Sequence, residues 1–235
     1  MQRLVLSLIA LASLLCLPAC RFGSSGPDER GYTLVYLKTG AKTDLSKEES
    51  AKVFEGHFAN MQRMANEHQL VLAGPFGKPK HDAALRGLFL FATDDPAQAK
   101  AWAETDPGFQ AGVFALEYHP LQTHAALQAL LAVELKRNSA EAAAGKHSEP
   151  GESIRGYVLL TAEKGAAMQH ELAGQPFVLL HGRTDGGQGF AILDAQDPNA
   201  AVELVGVSHE KMGKVEYDAW FATRGLETLP TLVDG

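Results

Sequence analysis

The chain has 235 residues, 46% of them hydrophobic, and a formal net charge of −7. That is enough length and apolar content to bury two small cores or one large one. The charge is mild and its acidic residues are spread without a block or tail, which argues against nucleic acid as a partner. The two cysteines, Cys16 and Cys20, both lie near the start, so the remainder forms no internal disulfide and depends on burial for stability.

Met1, Gln2 and Arg3 give a positive start, and Leu4 to Leu15 is apolar apart from Ser7 and Ser13. A run of that length is too short to span a bilayer and suits the core of a secretory signal peptide. Leu17, Pro18, Ala19 and Cys20 resemble the bacterial lipoprotein signal. The resemblance implies removal of residues 1–19 and acylation of Cys20 as the first mature residue, with an ordinary cleaved signal or an apolar N-terminal anchor as the alternative. Arg21 stands after the cysteine where an aspartate would signal retention. By the same resemblance this implies a cell-envelope protein, lipid-anchored in the outer membrane and facing the periplasm. Residues 20–30 then serve as a tether, flexible through Phe22 to Pro27. No later stretch is long and apolar enough to span a membrane, so the expected membrane contact is the Cys20 lipid alone.

After the tether, Tyr32 to Leu37 is rich in β-branched and aromatic residues and predicts a strand. Ser46 and Glu49 form a capping-box pattern that opens a helix. Phe54, Phe58, Met61, Met64 and Ala65 recur at helical spacing, giving that helix one buried stripe and carrying it to about His68. Val71 to Ala73 predicts a second strand closed by Gly74 and Pro75. Gly77 to Ala84 predicts a polar turn, and Arg86 to Ala92 a third strand. Asp95 before Pro96 opens a second helix to Thr105, and Val113 to His119 predicts the last strand. The order β-α-β-β-α-β is that of ferredoxin-like folds.

The second half repeats this order with local identities. Gly31 to Leu37 matches Gly156 to Thr161, Leu70 to Gly74 matches Phe177 to Gly182, Gly87 to Pro96 matches Gly189 to Pro198, and Leu116 to Tyr118 matches Val215 to Tyr217. A duplication is expected. The copies differ between their first two strands, where the second has only Ala162 to Gly174 and is expected to lack the histidine-bearing helix. In place of Asp106 and Pro107 it has Val207, Ser208 and His209.

His57 on the first helix, Leu72 to Pro75 after the following strand, and Asp106 with Pro107, Ala111 and Gly112 before the last strand resemble the YCII-related family. The resemblance is good over about residues 31–121 and weak over 155–225. It implies a ferredoxin-like fold that pairs in the dimeric α/β barrel style, and it carries the family's proposed active-site pair onto His57 and Asp106. The chain departs from the pattern at Gly108, where an aromatic often stands, with Phe109 one place later.

The fold class expected is therefore α+β, two ferredoxin-like repeats packed as a pseudo-dimer within one chain. Residues 31–121 would form the domain with the candidate site, 122–154 a helix (Leu121 to Arg137) and aperiodic linker, and 155–227 the degenerate repeat. An aspartate bonded to one imidazole nitrogen fixes the tautomer and directs the other at a substrate proton, which suits proton abstraction or a lyase-type elimination. There is no G-x-S-x-G serine elbow and no usable cysteine nucleophile.

Taken alone, His57 reads as a helix histidine packed on the sheet, and Tyr36, Phe76 and Phe109 as core or pocket-wall residues, packing by default, and not as specific ligands. His57 and His68 are too far apart on a helix to share a metal. His119, His124 and Glu117 read as solvated residues at a strand end, and Asp185 to Gly189 as a hairpin turn. No metal or cofactor is implied. The expected partners are a small molecule of unspecified class and the membrane, with a homodimer left open. The function expected is a lyase-like or proton-transfer enzyme. The alternative is a non-catalytic binding or scaffold lipoprotein.

Overall fold

A computed structural model describes residues 29–145 and 153–232. The signal segment, Cys20, the tether up to residue 28 and the middle of the linker lie outside the described residues.

The first half runs β1 (Arg30–Thr39), α1 (Lys47–Asn66), β2 (Leu70–Pro75), β3 (Leu85–Phe91), α2 (Pro96–Ala103), α3 (Pro107–Gln110) and β4 (Phe114–Thr123). Helix α4 (Leu127–Ala143) leads to β5 (Ile154–Ala162), α5 (Gly165–Leu172), β6 (Val178–Thr184), β7 (Gly189–Leu193), α6 (Pro198–Val205) and β8 (Val215–Thr223). Short 3₁₀ segments cover Gly206–Met212 and Arg224–Thr231.

All eight strands belong to one antiparallel sheet of order β2-β3-β1-β4-β6-β7-β5-β8, so each half contributes four strands in the same internal order. The halves join where Leu121, Gln122 and Thr123 of β4 pair with Thr184, Arg183 and Gly182 of β6. The outer strands meet as well: Phe76 bridges Trp220, the Gly77 amide donates to the Ala219 carbonyl at 2.7 Å, and the Ala219 amide donates to that of Pro79 at 3.0 Å. The sheet thereby closes on itself.

The pleat sorts the side chains. Val35 and Leu37 point out of the closed sheet and pack with Met64 of α1, Ala99 and Ala103 of α2, and Phe89, Phe91 and Phe114. Tyr32 and Leu34 point into the lumen with Leu88, Leu90, Leu121, Tyr157, Leu159, Phe190, Ile192 and Trp220, and Leu127, Leu130 and Leu131 of α4 join them. A third cluster packs α5 and α6 against the outer face of β5 and β7.

Four local expectations change. Helix α1 ends at Asn66, and His68 lies beyond its cap at φ 58°. Strand β4 does not stop at His119. Pro120 pairs opposite Thr33 within it, and residues 121–123, expected in a helix, form the joint to β6. The stretch Asn138 to Ala143, expected as linker, continues α4 because alanine is a strong helix former. The second half also keeps a shortened helix, α5, where none was expected.

Gly74 shows how tightly the ends close: a Cβ there would lie 1.9 Å from the Phe221 carbonyl oxygen, while the Trp220 Nε1–H donates to the Gly74 carbonyl at 3.0 Å. Gly74→Ala is expected to lower stability by at least about 2 kcal/mol. Gly156→Ala, whose nearest neighbour would be 3.6 Å away, is expected to change it little. Thermal or denaturant unfolding of both variants checks the pair.

Candidate functional site

Helix α1 begins with the capping box read in the sequence. The Glu49 amide donates to Ser46 Oγ at 3.1 Å and the Ser46 amide to Glu49 Oε2 at 2.8 Å. Its buried side chains are His57 and Met64, on the stripe that faces the sheet. Asp106 is the N-cap of α3, with Pro107 at the first helical position. Its Oδ1 accepts from the amides of Gly108 at 2.8 Å and Phe109 at 3.3 Å. Its Oδ2 lies 2.7 Å from His57 Nδ1.

Asp106 is fully buried and His57 is 7% exposed. A buried carboxylate is tolerated where its lone pairs are engaged, and this one takes three donors. To donate to Asp106 the ring carries its proton on Nδ1, so a neutral His57 offers Nε2 as base. The ring is held from several sides: it stacks on Phe89 (centroids 5.8 Å apart, planes 17° apart) and meets Phe114 at 5.2 Å and Phe58 at 5.4 Å.

His57 borders a cavity of about 270 Å³ whose walls include Leu37, Phe54, Phe76, Leu88, Phe89 and Phe114. Phe58 also borders it and is 62% exposed, and exposed Arg86 lies on its edge, with no ion pair among the described residues. Phe76, expected in the core or a pocket wall, is a wall residue. Phe109 does not border the cavity, and the aromatic surround comes from α1, β3 and β4 instead. Gly108 has a steric reason: a Cβ would fall 2.5 Å from the Phe114 ring and 2.9 Å from Asp106 Oδ1.

Among the described residues the second half holds no counterpart of this pair. His170 of α5 is exposed, and His209, near the register of Asp106, bonds the Gly206 carbonyl at 2.6 Å. Among the described residues no group of three His, Cys, Asp or Glu side chains is placed to hold a metal, and no helix is long and apolar enough to cross a membrane.

The match to known families falls on the half that holds the pair. Residues 33–120 match the family model of the YCII-related domain. The matched region runs from within β1 to within β4 and contains both His57 and Asp106. No curated protein matches the chain.

The sequence missed a second constellation. His81, in the loop between β2 and β3, places Nδ1 2.7 Å from Oδ2 of Asp218 on β8. His119, expected in solvent, is half-buried in mid-strand with Nε2 2.8 Å from Glu117 Oε1. Tyr36 meets it edge-on at 5.6 Å. The only available signal was alternation: Tyr36, Glu117 and His119 fall on lumen positions once β1 and β4 are paired.

Nitrogen-15 imidazole shifts test the main pair. Neutral His57 is expected in the Nδ1–H tautomer, and Asp106→Ser, which keeps a cap for α3 but lacks the second oxygen, is expected to restore the Nε2–H form usual for a free ring.

Proposed function

We propose that the YCII-related domain is a proton-transfer or lyase-type enzyme in which His57, oriented by Asp106, is the general base. The observation that carries this reading is the 2.7 Å contact between His57 Nδ1 and the fully buried Asp106 carboxylate, beside a cavity walled by aromatic rings. The volume suits a molecule of about ten to twelve heavy atoms. Its apolar walls favour a cyclic or aromatic body, and Arg86 at the edge, without an ion pair among the described residues, favours an anionic group on the substrate, held while the base removes a neighbouring carbon-bound proton.

Phenylpyruvate combines an aromatic ring, a carboxylate and an acidic methylene, and is the probe chosen to test this. Protein-catalysed exchange of its methylene protons with deuterated solvent is expected to fall at least ~100-fold in His57→Gln. In Arg86→Gln the main expected change is a raised KM. Probe binding without exchange would point to the non-catalytic alternative, a binding lipoprotein of the cell envelope.

We further infer that the two halves arose by duplication and form a pseudo-dimer in one chain. The common strand order and the local identities between Gly31 to Tyr118 and Gly156 to Tyr217 support it. The second half then serves as a partner that completes the barrel without keeping the His57 site.

The lipoprotein reading of Cys20, with an outer-membrane anchor facing the periplasm, rests on the Leu17 to Cys20 pattern and on Arg21. Cys20→Ser is expected to move the protein from the membrane fraction to the soluble fraction, followed by fractionation and by the mass of the N-terminal peptide.

A further inference from the structure

On the other face of β1 lies a larger cavity, about 570 Å³, at the open end of the lumen. Apolar side chains fill the opposite end, where α4 packs. The open end is polar, and it draws on both halves: Tyr36, His81 and His119 from the first, Thr161 and Glu216 from the second. It shares no lining residue with the cavity at His57.

The lysines around this mouth are already paired, and Glu163 takes the Lys214 amide on Oε2 at 3.1 Å. Lys38 Nζ lies 2.6 Å from Glu117 Oε2 and 3.5 Å from Asp82 Oδ2, and Lys214 Nζ lies 2.7 Å from Glu216 Oε1. The Lys38 hydrogen bond, more than any other contact, holds the Glu117 carboxyl below its usual range. An anionic ligand would find no unpaired cation among the described lining residues and would have to displace one of these pairs.

Two imidazole rings and a phenol remain. Asp218, 1% exposed, accepts the His81 amide on Oδ1 at 2.6 Å and the His81 ring on Oδ2. The ring is thereby fixed across the seam between halves, with Nε2 left over. Glu117 fixes His119 in the same way through Nε2, leaving Nδ1. The Tyr36 hydroxyl has no hydrogen bond among the described residues. Burial first, then the negative charges of Asp218 and Glu117, push its pKa far up, so it stays a neutral donor. Two oriented imidazole nitrogens can accept, one phenol can donate, and Leu34 and Phe190 supply an apolar floor.

We propose that the lumen mouth is a second ligand site, which takes a small, uncharged compound bearing both a hydroxyl and a carbonyl group on an apolar frame. The carbonyl accepts from Tyr36, and the hydroxyl donates to His81 Nε2 or His119 Nδ1. The site exists only in the closed sheet, because Asp218 on β8 orients a histidine carried by the loop after β2.

The three hydroxyacetophenone isomers are the probes, added to the full-length chain with histidine ring signals followed by NMR. At least one isomer is expected to shift the His81 and His119 signals saturably while leaving those of His57 in place. Tyr36→Phe is expected to weaken its binding at least tenfold, and His57→Gln to leave it unchanged. Acetophenone, which lacks the hydroxyl, and benzoate are expected to bind at least tenfold more weakly than that isomer. No saturable shift with any isomer, equal binding of acetophenone, tighter binding of benzoate, or an unchanged affinity in Tyr36→Phe would overturn the proposal. The shifts in the unaltered chain are read without any substitution, so a variant that fails to fold does not decide the test.

Discussion

Eight antiparallel strands in one sheet leave two edges of unpaired N–H and C=O groups, and the rest of this molecule depends on those edges meeting. They meet through a short segment, Phe76 to Pro79, that leaves β2 and bonds to Ala219 and Trp220 of β8. Closure turns one face of every strand into a lumen. It also lets apolar residues from both halves share one core, so that Trp220 and Tyr157 are buried with Leu34 and Leu88. Gly74 is where this requirement is most severe, since the backbone of β8 occupies the space of its missing side chain. A glycine that marks the YCII-related pattern on the first half is, in this chain, the residue that admits the second half.

The two histidine–aspartate pairs use the same chemistry with different supports. Asp106 is held locally: it caps a helix that starts at the next residue, so its conformation follows from the Asp-Pro sequence, and only His57 must be brought to it by the packing of α1. Asp218 is held by distance, because its partner lies 137 residues away on a loop that crosses the seam. In both, an otherwise costly buried carboxylate is retained because backbone amides and an imidazole engage its oxygens. An imidazole so engaged loses its freedom to choose a tautomer, which makes it a fixed acceptor toward the neighbouring cavity.

This difference explains what the sequence disclosed. The strands of both halves and the capping box of α1 are legible because each rests on short-range patterns, apolar runs and a cap three residues from its partner, whereas the pair His57 and Asp106, 49 residues apart, is reached only through the family resemblance. The joint at 121–123 is not legible, because a proline at position 120 reads as an end of pairing. Here that proline lies within β4 and donates nothing, while its carbonyl still accepts from Asp185 at 3.1 Å. His81 was hidden in a segment that reads only as a polar turn. No local feature marks a turn whose partner is a strand in the other half. His119 is obscured for a related reason: the sequence pattern places a strand end there, and the strand continues to Thr123.

The two cavities stand on opposite faces of a single strand, and this follows from the pleat of β1. Tyr36 and Leu37 are consecutive, yet Tyr36 lines the lumen mouth and Leu37 the cavity at His57. A shift of β1 by one residue against β3 and β4 would exchange those faces, putting Lys38 and Tyr36 under α1 and Val35 and Leu37 in the polar mouth. The register opposing this is held on both sides over most of the strand, from Thr33 to Lys38 against β3 and from Arg30 to Thr39 against β4. Each site thus acts as a constraint on the other. A change that unseats Tyr36 alters the wall shared with Phe76, whose ring lies 6.1 Å away and borders the cavity of His57. The register of this one strand therefore assigns each cavity its side chains, and neither cavity could be built on β1 without fixing which residues face the other.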